Sequence, residues 1–196
     1  MPLATVKYVD PTPHTDNKGN QTNHWSKVEG PFQSFNLLDR TRNIQDISQT
    51  KSHFEIDTCG FAVHHWPIQQ EVFANNEETI KATYYPQVEE LLHEKLPGKI
   101  HKIVIFDHTF RQMDKDSPRK PVMQVHVDQT AEAAKARVQR HLPPDEAEIL
   151  LQSRYSLINV WRPVGNPVWE YPLAVLDWRS LAPEDFVLCG SSLSDS

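Results

Sequence analysis

Cysteine, glycine and long apolar runs are all scarce in this chain, and each shortage removes a class of protein. Its 196 residues include two cysteines, Cys59 and Cys189, far apart and in no CxxC spacing. That arithmetic disfavours a zinc knuckle or a redox pair and points to reduced thiols in a soluble compartment. A nucleophilic role for Cys59 would need a nearby base, and no spacing names one. Six glycines in all leave little material for a nucleotide cradle, and there is no Gly-rich phosphate loop, GxSxG elbow or HExxH pair. No stretch approaches the roughly 18 apolar residues that span a bilayer. The start of the chain, Met1 to Tyr8, has no apolar core followed by a small-residue cleavage site, so neither a membrane segment nor a secretory leader is expected. A cytoplasmic location is the expectation that follows. The net charge of -6 argues against a general phosphate-binding surface, and nucleic acid is not an expected partner. The one basic run, Lys115 to Lys120, is diluted by Asp116 and Pro118 and reads as a solvated loop.

What is present suits one domain of ordinary size. The hydrophobic fraction is 38% and the charged fraction 23%, as in a soluble globular protein. Residues 1–52 are rich in polar residues and proline, with short apolar clusters such as Phe32, Phe35, Leu37 and Leu38. They read as an arm that packs on the domain. From residue 53, Phe54, Ile56, Cys59, Phe61 and Val63 nearly alternate with polar residues, predicting a strand or strand pair with a bend at Gly60. Ile80, Tyr84, Val88, Leu91 and Leu92 form the stripe of a helix over residues 77–96, with a kink or a break expected at Pro86. Residues 99–107 form an apolar run of strand length, and 121–127 alternate. Residues 130–140 are a helix with Thr130 as N-cap, and a second helix over 145–154 follows the Pro143-Pro144 break. Residues 155–161 and 172–177 are strand candidates. The expectation is a mainly β core with flanking helices, α+β in the loose sense.

Chemistry concentrates in a few short segments. In Val125-His126-Val127-Asp128-Gln129, residues i and i+2 of an extended segment share a face, so His126 and Asp128 converge on one point. An imidazole and a carboxylate in that arrangement suit two of the three ligands of a facial triad around Fe(II), with positions left open for an oxo acid and dioxygen. The same pair on a strand is also an ordinary ion pair. Asn159 and Trp161 share one face of the next predicted strand and Arg162 lies on the other. A guanidinium there suits the distal carboxylate of a dicarboxylic cosubstrate through two parallel bonds; the alternative is that it stacks on Trp161 or pairs with a carboxylate such as Asp177. His108 and Arg111, at the end of the 99–107 run, are candidate pocket residues, with a loop-anchoring network as the alternative. His64 and His65 would point to opposite faces of a strand and cannot serve one site.

Several blocks together resemble the fungal AsaB-type hydroxylase/desaturase family, which is also similar to bacterial cephalosporin-methoxylation proteins. They are Asp57 to Phe61, Tyr84 to Glu89, Val104 to Arg111, Val125 to Thr130, Ile158 to Pro163 and Pro172 to Ser180. They run in the family's order and spacing from about residue 53 to 187. The resemblance implies a double-stranded β-helix, or jelly roll, with Fe(II) held by His126, Asp128 and a distal His. It implies 2-oxoglutarate as cosubstrate, for which the segment reading above offers Arg162, with Asn159 and Trp161, as the binding residues. A small natural product would be hydroxylated or desaturated.

One departure qualifies that expectation. The family's distal His follows the Asp177 to Ser180 block in an aromatic context, whereas here Phe186-Val187-Leu188 gives way to a small polar tail, residues 189–196. His141 is the only histidine after Asp128 and is too close to it to supply a ligand from a later strand. The sequence reading is therefore a partial oxygenase domain over 53–188 with an atypical tail, as after a truncation, a retained intron or a frameshift, and with the third ligand absent. The sheet would lose its closing strands, and assembly with another chain would cover the exposed edge. The alternative function is a non-catalytic remnant or small-molecule-binding protein without a working iron site.

Overall fold

The structure is a computed structural model, and it describes residues 2–16, 18–27, 33–69, 72–73, 76–114, 117 and 119–192. Lys115, Asp116 and Pro118 of the 115–120 loop, Phe32 of the arm and residues 193–196 of the tail lie outside this set. The chain divides into two compact units, one comprising Met1–Ala62, Val122–His126 and Ala174–Ser196, the other Val63–Pro121 and Val127–Leu173.

The strands of the first unit form where a partner segment lies alongside. β1 (Leu3–Val9) pairs antiparallel with β5 (Leu37–Asn43), Leu3 opposite Asn43 and Val9 opposite Leu37. A Lys7–Asp39 ion pair at 2.7 Å sits directly across this ladder. β2 (His14–Thr15) and β3 (Gln21–Thr22) make a short hairpin around Gly19, whose φ of 84° only glycine adopts without strain. β4 (His24–Lys27) pairs in parallel with β6 (Cys189–Ser192), His24 opposite Cys189. The first residues of the polar tail thus enter a strand. His24 is buried against Phe35, ring edge to ring face, with centroids 5.7 Å apart.

The strand predicted across residues 53–63 is replaced by one helical turn, α1 (Ile56–Cys59). The alternation of apolar residues is real, but Gly60 adopts φ 82° and closes the turn, its N–H donating to the carbonyl of Ile56 at 3.1 Å. This is a helix C-terminus, where glycine relieves the left-handed penalty. Phe54 and Phe61 then stack across the turn, with centroids 5.0 Å apart, and Cys59 is completely buried. α1 packs on a 3-10 turn at Trp178–Ser180. Asp177 caps that turn by accepting from the Arg179 backbone N–H at 3.0 Å, and it grips the Arg179 guanidinium at 2.6 and 3.0 Å. That pairing holds the Asp177 carboxyl below the ordinary carboxylate range.

Helices organise the second unit. α2 (Glu77–Lys95) starts at Asn76, whose side chain accepts from Thr79 N–H at 2.9 Å, and Glu77 and Glu78 sit at its positive end. The expected stripe buries Ile80 and Val88. Pro86 lies inside a single helix, so the alternative of two abutting helices is not realised. α3 (Ala131–His141) is capped as anticipated by Thr130, which accepts from Ala133 N–H at 3.1 Å. α4 (Pro144–Leu150) begins at the proline pair, where the missing N–H costs nothing. Its Glu146 meets Lys102 at 2.7 Å.

The predicted strands over 99–107, 155–161 and 172–177 do not form ladders, and the 121–127 segment contributes a single bridge, Gln124 to Lys7. Their composition favours β structure, but a strand exists only when a second backbone satisfies its N–H and C=O groups. No such partner lies beside these segments among the described residues, and apolar side chains along them stay exposed, for example Phe106 at 44% and Trp161 at 50%. The described residues hold three two-stranded sheets and four α-helices. A closed jelly-roll ladder is not among them.

Candidate metal centre and cosubstrate site

His126 belongs to the first unit. The preceding residue, Val125, donates its N–H to the Lys7 carbonyl of β1 at 2.8 Å, which anchors the segment. The His126 Nδ1 lies 2.8 Å from the Gln124 carbonyl oxygen. A carbonyl can only accept, so Nδ1 carries the proton, and in the neutral ring the lone pair belongs to Nε2. Metal-binding imidazoles are commonly oriented in this way, with one nitrogen donating to a backbone carbonyl and the other turned to the ion.

Asp128 and Asn159 belong to the second unit. The Asn159 side-chain amide donates to Asp128 Oδ2 at 2.6 Å. A neutral donor on one carboxylate oxygen fixes the plane of the group without neutralising its charge, again as for a ligating carboxylate. The structure thus adds a contact for Asn159, which the sequence assigned to the cosubstrate. The donor types, imidazole nitrogen and carboxylate oxygen, fit Fe(II) chemistry. Among the described residues, no group of three His, Cys, Asp or Glu side chains is arranged to hold an ion.

Arg162, also of the second unit, donates from Nη2 to the Trp66 carbonyl at 2.6 Å, and its guanidinium carbon lies 5.8 Å from the Tyr84 ring centre. Its Nε is buried with no hydrogen-bond partner among the described residues. Neither alternative of the sequence reading, stacking on Trp161 or pairing with Asp177, foresaw the Trp66 carbonyl, since the two residues are 96 positions apart. Trp161 is half-exposed.

His108 Nδ1 lies 2.8 Å from the Tyr85 hydroxyl, and Arg111 Nη1 donates to the Lys120 carbonyl at 3.0 Å. The structure therefore couples His108 to α2 and Arg111 to its own loop. The sequence reading missed Tyr85. Its signal was the Tyr84-Tyr85-Pro86 block, in which a second phenol follows directly on the Tyr84 of the stripe. Burial raises the Tyr85 phenol, opposed by the positive charge of Lys81. His141 stacks on Phe106 with centroids 4.7 Å apart, and Arg137 lies over the other ring partner, 5.1 Å from the Phe106 centre.

The backbone as a whole matches a solved dioxygenase. The iron and alpha-ketoglutarate-dependent endoperoxidase NvfI, in a structure of different conformation, superposes with a TM-score of 0.76 at 20% identity, over 99% of this chain and 71% of that one. That likeness defines the fold class. The sequence carries the family: a model described as an oxidoreductase/YMDC permease-like domain matches residues 6–195. The hydroxylase/desaturase poxK of Penicillium oxalicum is 36% identical over 129 residues, 65% of this chain and 39% of that protein. The Fe(II)/2-oxoglutarate-dependent dioxygenase nvfI of Aspergillus novofumigatus is 29% identical over 157 residues, 78% of this chain and 56% of that protein. The chain belongs to this oxidoreductase family, that of the AsaB- and NvfI-like fungal hydroxylases and desaturases. It spans between about four-tenths and six-tenths of the length of the two curated relatives.

Proposed function

We propose that the chain is the iron-binding region of an oxidoreductase that hydroxylates or desaturates a small natural product with Fe(II), 2-oxoglutarate and O2. The observation that supports this most is His126: its Nδ1 is committed to the Gln124 carbonyl at 2.8 Å, within the HxD pattern of a chain whose family match runs from residue 6 to 195. His126 and Asp128 are the protein ligands in this reading, with Asn159 steadying the Asp128 carboxylate. When bound, ferrous iron would activate O2, the oxidant, for attack on an unactivated C–H bond, with 2-oxoglutarate supplying two of the four electrons and the substrate the other two; no side chain provides that chemistry. Arg162 is the cosubstrate residue, exchanging the Trp66 carbonyl for a carboxylate, and Trp161 beside it is an open aromatic surface. The jelly roll expected from the family is the architecture of this reading, with the apolar segments 99–107 and 155–161, unpaired among the described residues, as the candidates for its further strands.

A second reading, a small-molecule-binding protein without a working iron site, draws on the observation that no third His, Cys, Asp or Glu joins His126 and Asp128 among the described residues. Anaerobic addition of Fe(II) and then 2-oxoglutarate to the 196-residue chain separates the two. The first reading expects a weak visible charge-transfer band that grows with both additions. Its absence at saturating concentrations would leave the second.

A further inference from the structure

The second unit holds a polar dyad inside an aromatic frame, one ring of which, Tyr84, also lies 5.8 Å from the Arg162 guanidinium. Tyr85 of α2 and His108 meet at 2.8 Å through Oη and Nδ1. The Tyr85 ring stands edge-on to the imidazole with centroids 5.7 Å apart, and Phe110 does the same from another side at 5.9 Å. Phe73 bridges Phe110 and Tyr84, at 6.0 and 5.1 Å. The frame is open: Phe110 is 46% exposed, while Phe73, Tyr84, Tyr85 and His108 are half-buried.

The proton inventory of the dyad fixes what it offers. Two tautomers suit the contact; in the one that uses the phenolic proton, Tyr85 donates and His108 Nδ1 accepts. The reverse arrangement would leave the phenolic proton without an acceptor among the described residues. The neutral imidazole must then carry its own proton on Nε2. That N–H has no hydrogen-bond partner among the described residues. A single fixed donor on an imidazole flanked by Tyr85 and Phe110, at the edge of a cluster that Phe73 and Tyr84 extend, favours a flat apolar molecule that presents one acceptor oxygen.

We infer that His108, held as its Nε2–H tautomer by Tyr85, is the hydrogen-bond donor of a subsite for a flat, apolar, carbonyl-bearing ligand. In the proposed oxidation this subsite would position the substrate, so it deepens that reading, but its test needs no iron.

The test compares 2-acetylnaphthalene with 2-isopropenylnaphthalene, which matches its shape without the carbonyl. Binding is followed by fluorescence titration of the metal-free chain. The expected result is about five- to tenfold tighter binding of the ketone, the range one neutral hydrogen bond gives. His108→Leu should abolish that preference while retaining the hydrocarbon. Tyr85→Phe should reduce it by releasing the tautomer. Equal binding of both probes by the unaltered chain, binding of neither, or a preference that survives His108→Leu overturns the inference. In the unaltered chain, 15N chemical shifts of His108 should show the unprotonated nitrogen at Nδ1; a protonated Nδ1 also overturns it. Iron and 2-oxoglutarate titrations of Tyr85→Phe and His108→Leu should match the unaltered chain. Failure of the subsite and failure of the iron site therefore read out separately.

Discussion

The Asn159 side-chain amide donates to Asp128 Oδ2 at 2.6 Å, across 31 positions of sequence. The contact joins two motifs that the sequence could present only as separate blocks. If Asp128 is an iron ligand, Asn159 governs how its carboxylate is aimed. Asn159→Ala should weaken Fe(II) affinity by about 10- to 100-fold, the usual effect of removing a partner of a ligating group. The check is anaerobic equilibrium dialysis beside a circular dichroism spectrum. Unchanged iron affinity in a folded variant would detach Asn159 from the metal centre.

Arg162 offers a different signature. Its bond to the Trp66 carbonyl is charge-assisted at 2.6 Å, so Arg162→Ala should lower stability by roughly 1.5–3 kcal/mol. It should also weaken 2-oxoglutarate binding more than iron binding. Urea denaturation measures the first effect and paired titrations the second. Loss of stability with intact cosubstrate affinity would make Arg162 a structural latch only.

The helices were legible in the sequence because their signals are local. Thr130 caps the helix it precedes, the proline pair at 143 and 144 separates α3 from α4, and Ile80 and Val88 are buried where the stripe put them. The ladders were not, because pairing is a property of two segments. β1 and β5 lie in the stretch that looked least periodic, while the Val-, Ile- and aromatic-rich runs have no ladder among the described residues. The HxD pattern was visible, but its supporting partners were not. Gln124 acts through a backbone carbonyl, which leaves no mark on side-chain identity, and Asn159 and Trp66 are distant in sequence.

Gly60 tests the reinterpretation of residues 53–63. Its φ of 82° belongs to the left-handed region, and a Cβ there would make ordinary contact with Trp178 Cβ at 3.6 Å. The backbone conformation, not crowding, should therefore set the cost. Gly60→Ala should destabilise by about 1 kcal/mol, and Gly60→Asn by less, since asparagine tolerates this region. Equal stability of the glycine and alanine forms in urea denaturation would contradict the α1 terminus.

Acid should release the Asp177–Arg179 grip. The Asp177 carboxyl lies below its ordinary value in the folded state, chiefly through its hydrogen bonds to Arg179. A depressed folded-state pKa contributes stability that is present above the unfolded value, about 3.9, and is lost as pH falls through the lower, folded value. Asp177→Asn should therefore be less stable than the unaltered chain at neutral pH, with the difference shrinking below about pH 4. Thermal unfolding at a series of pH values measures it. A constant difference down to strongly acidic pH would remove the ion pair from the cause.

The central claim is that His126 and Asp128 together hold ferrous iron. Its most direct test is iron content after anaerobic equilibrium with Fe(II), measured on the unaltered chain, His126→Ala and Asp128→Ala. The account predicts iron retained by the unaltered chain and lost from both variants, with circular dichroism spectra of all three superimposing. Full iron retention in either variant, or none in the unaltered chain, would contradict it.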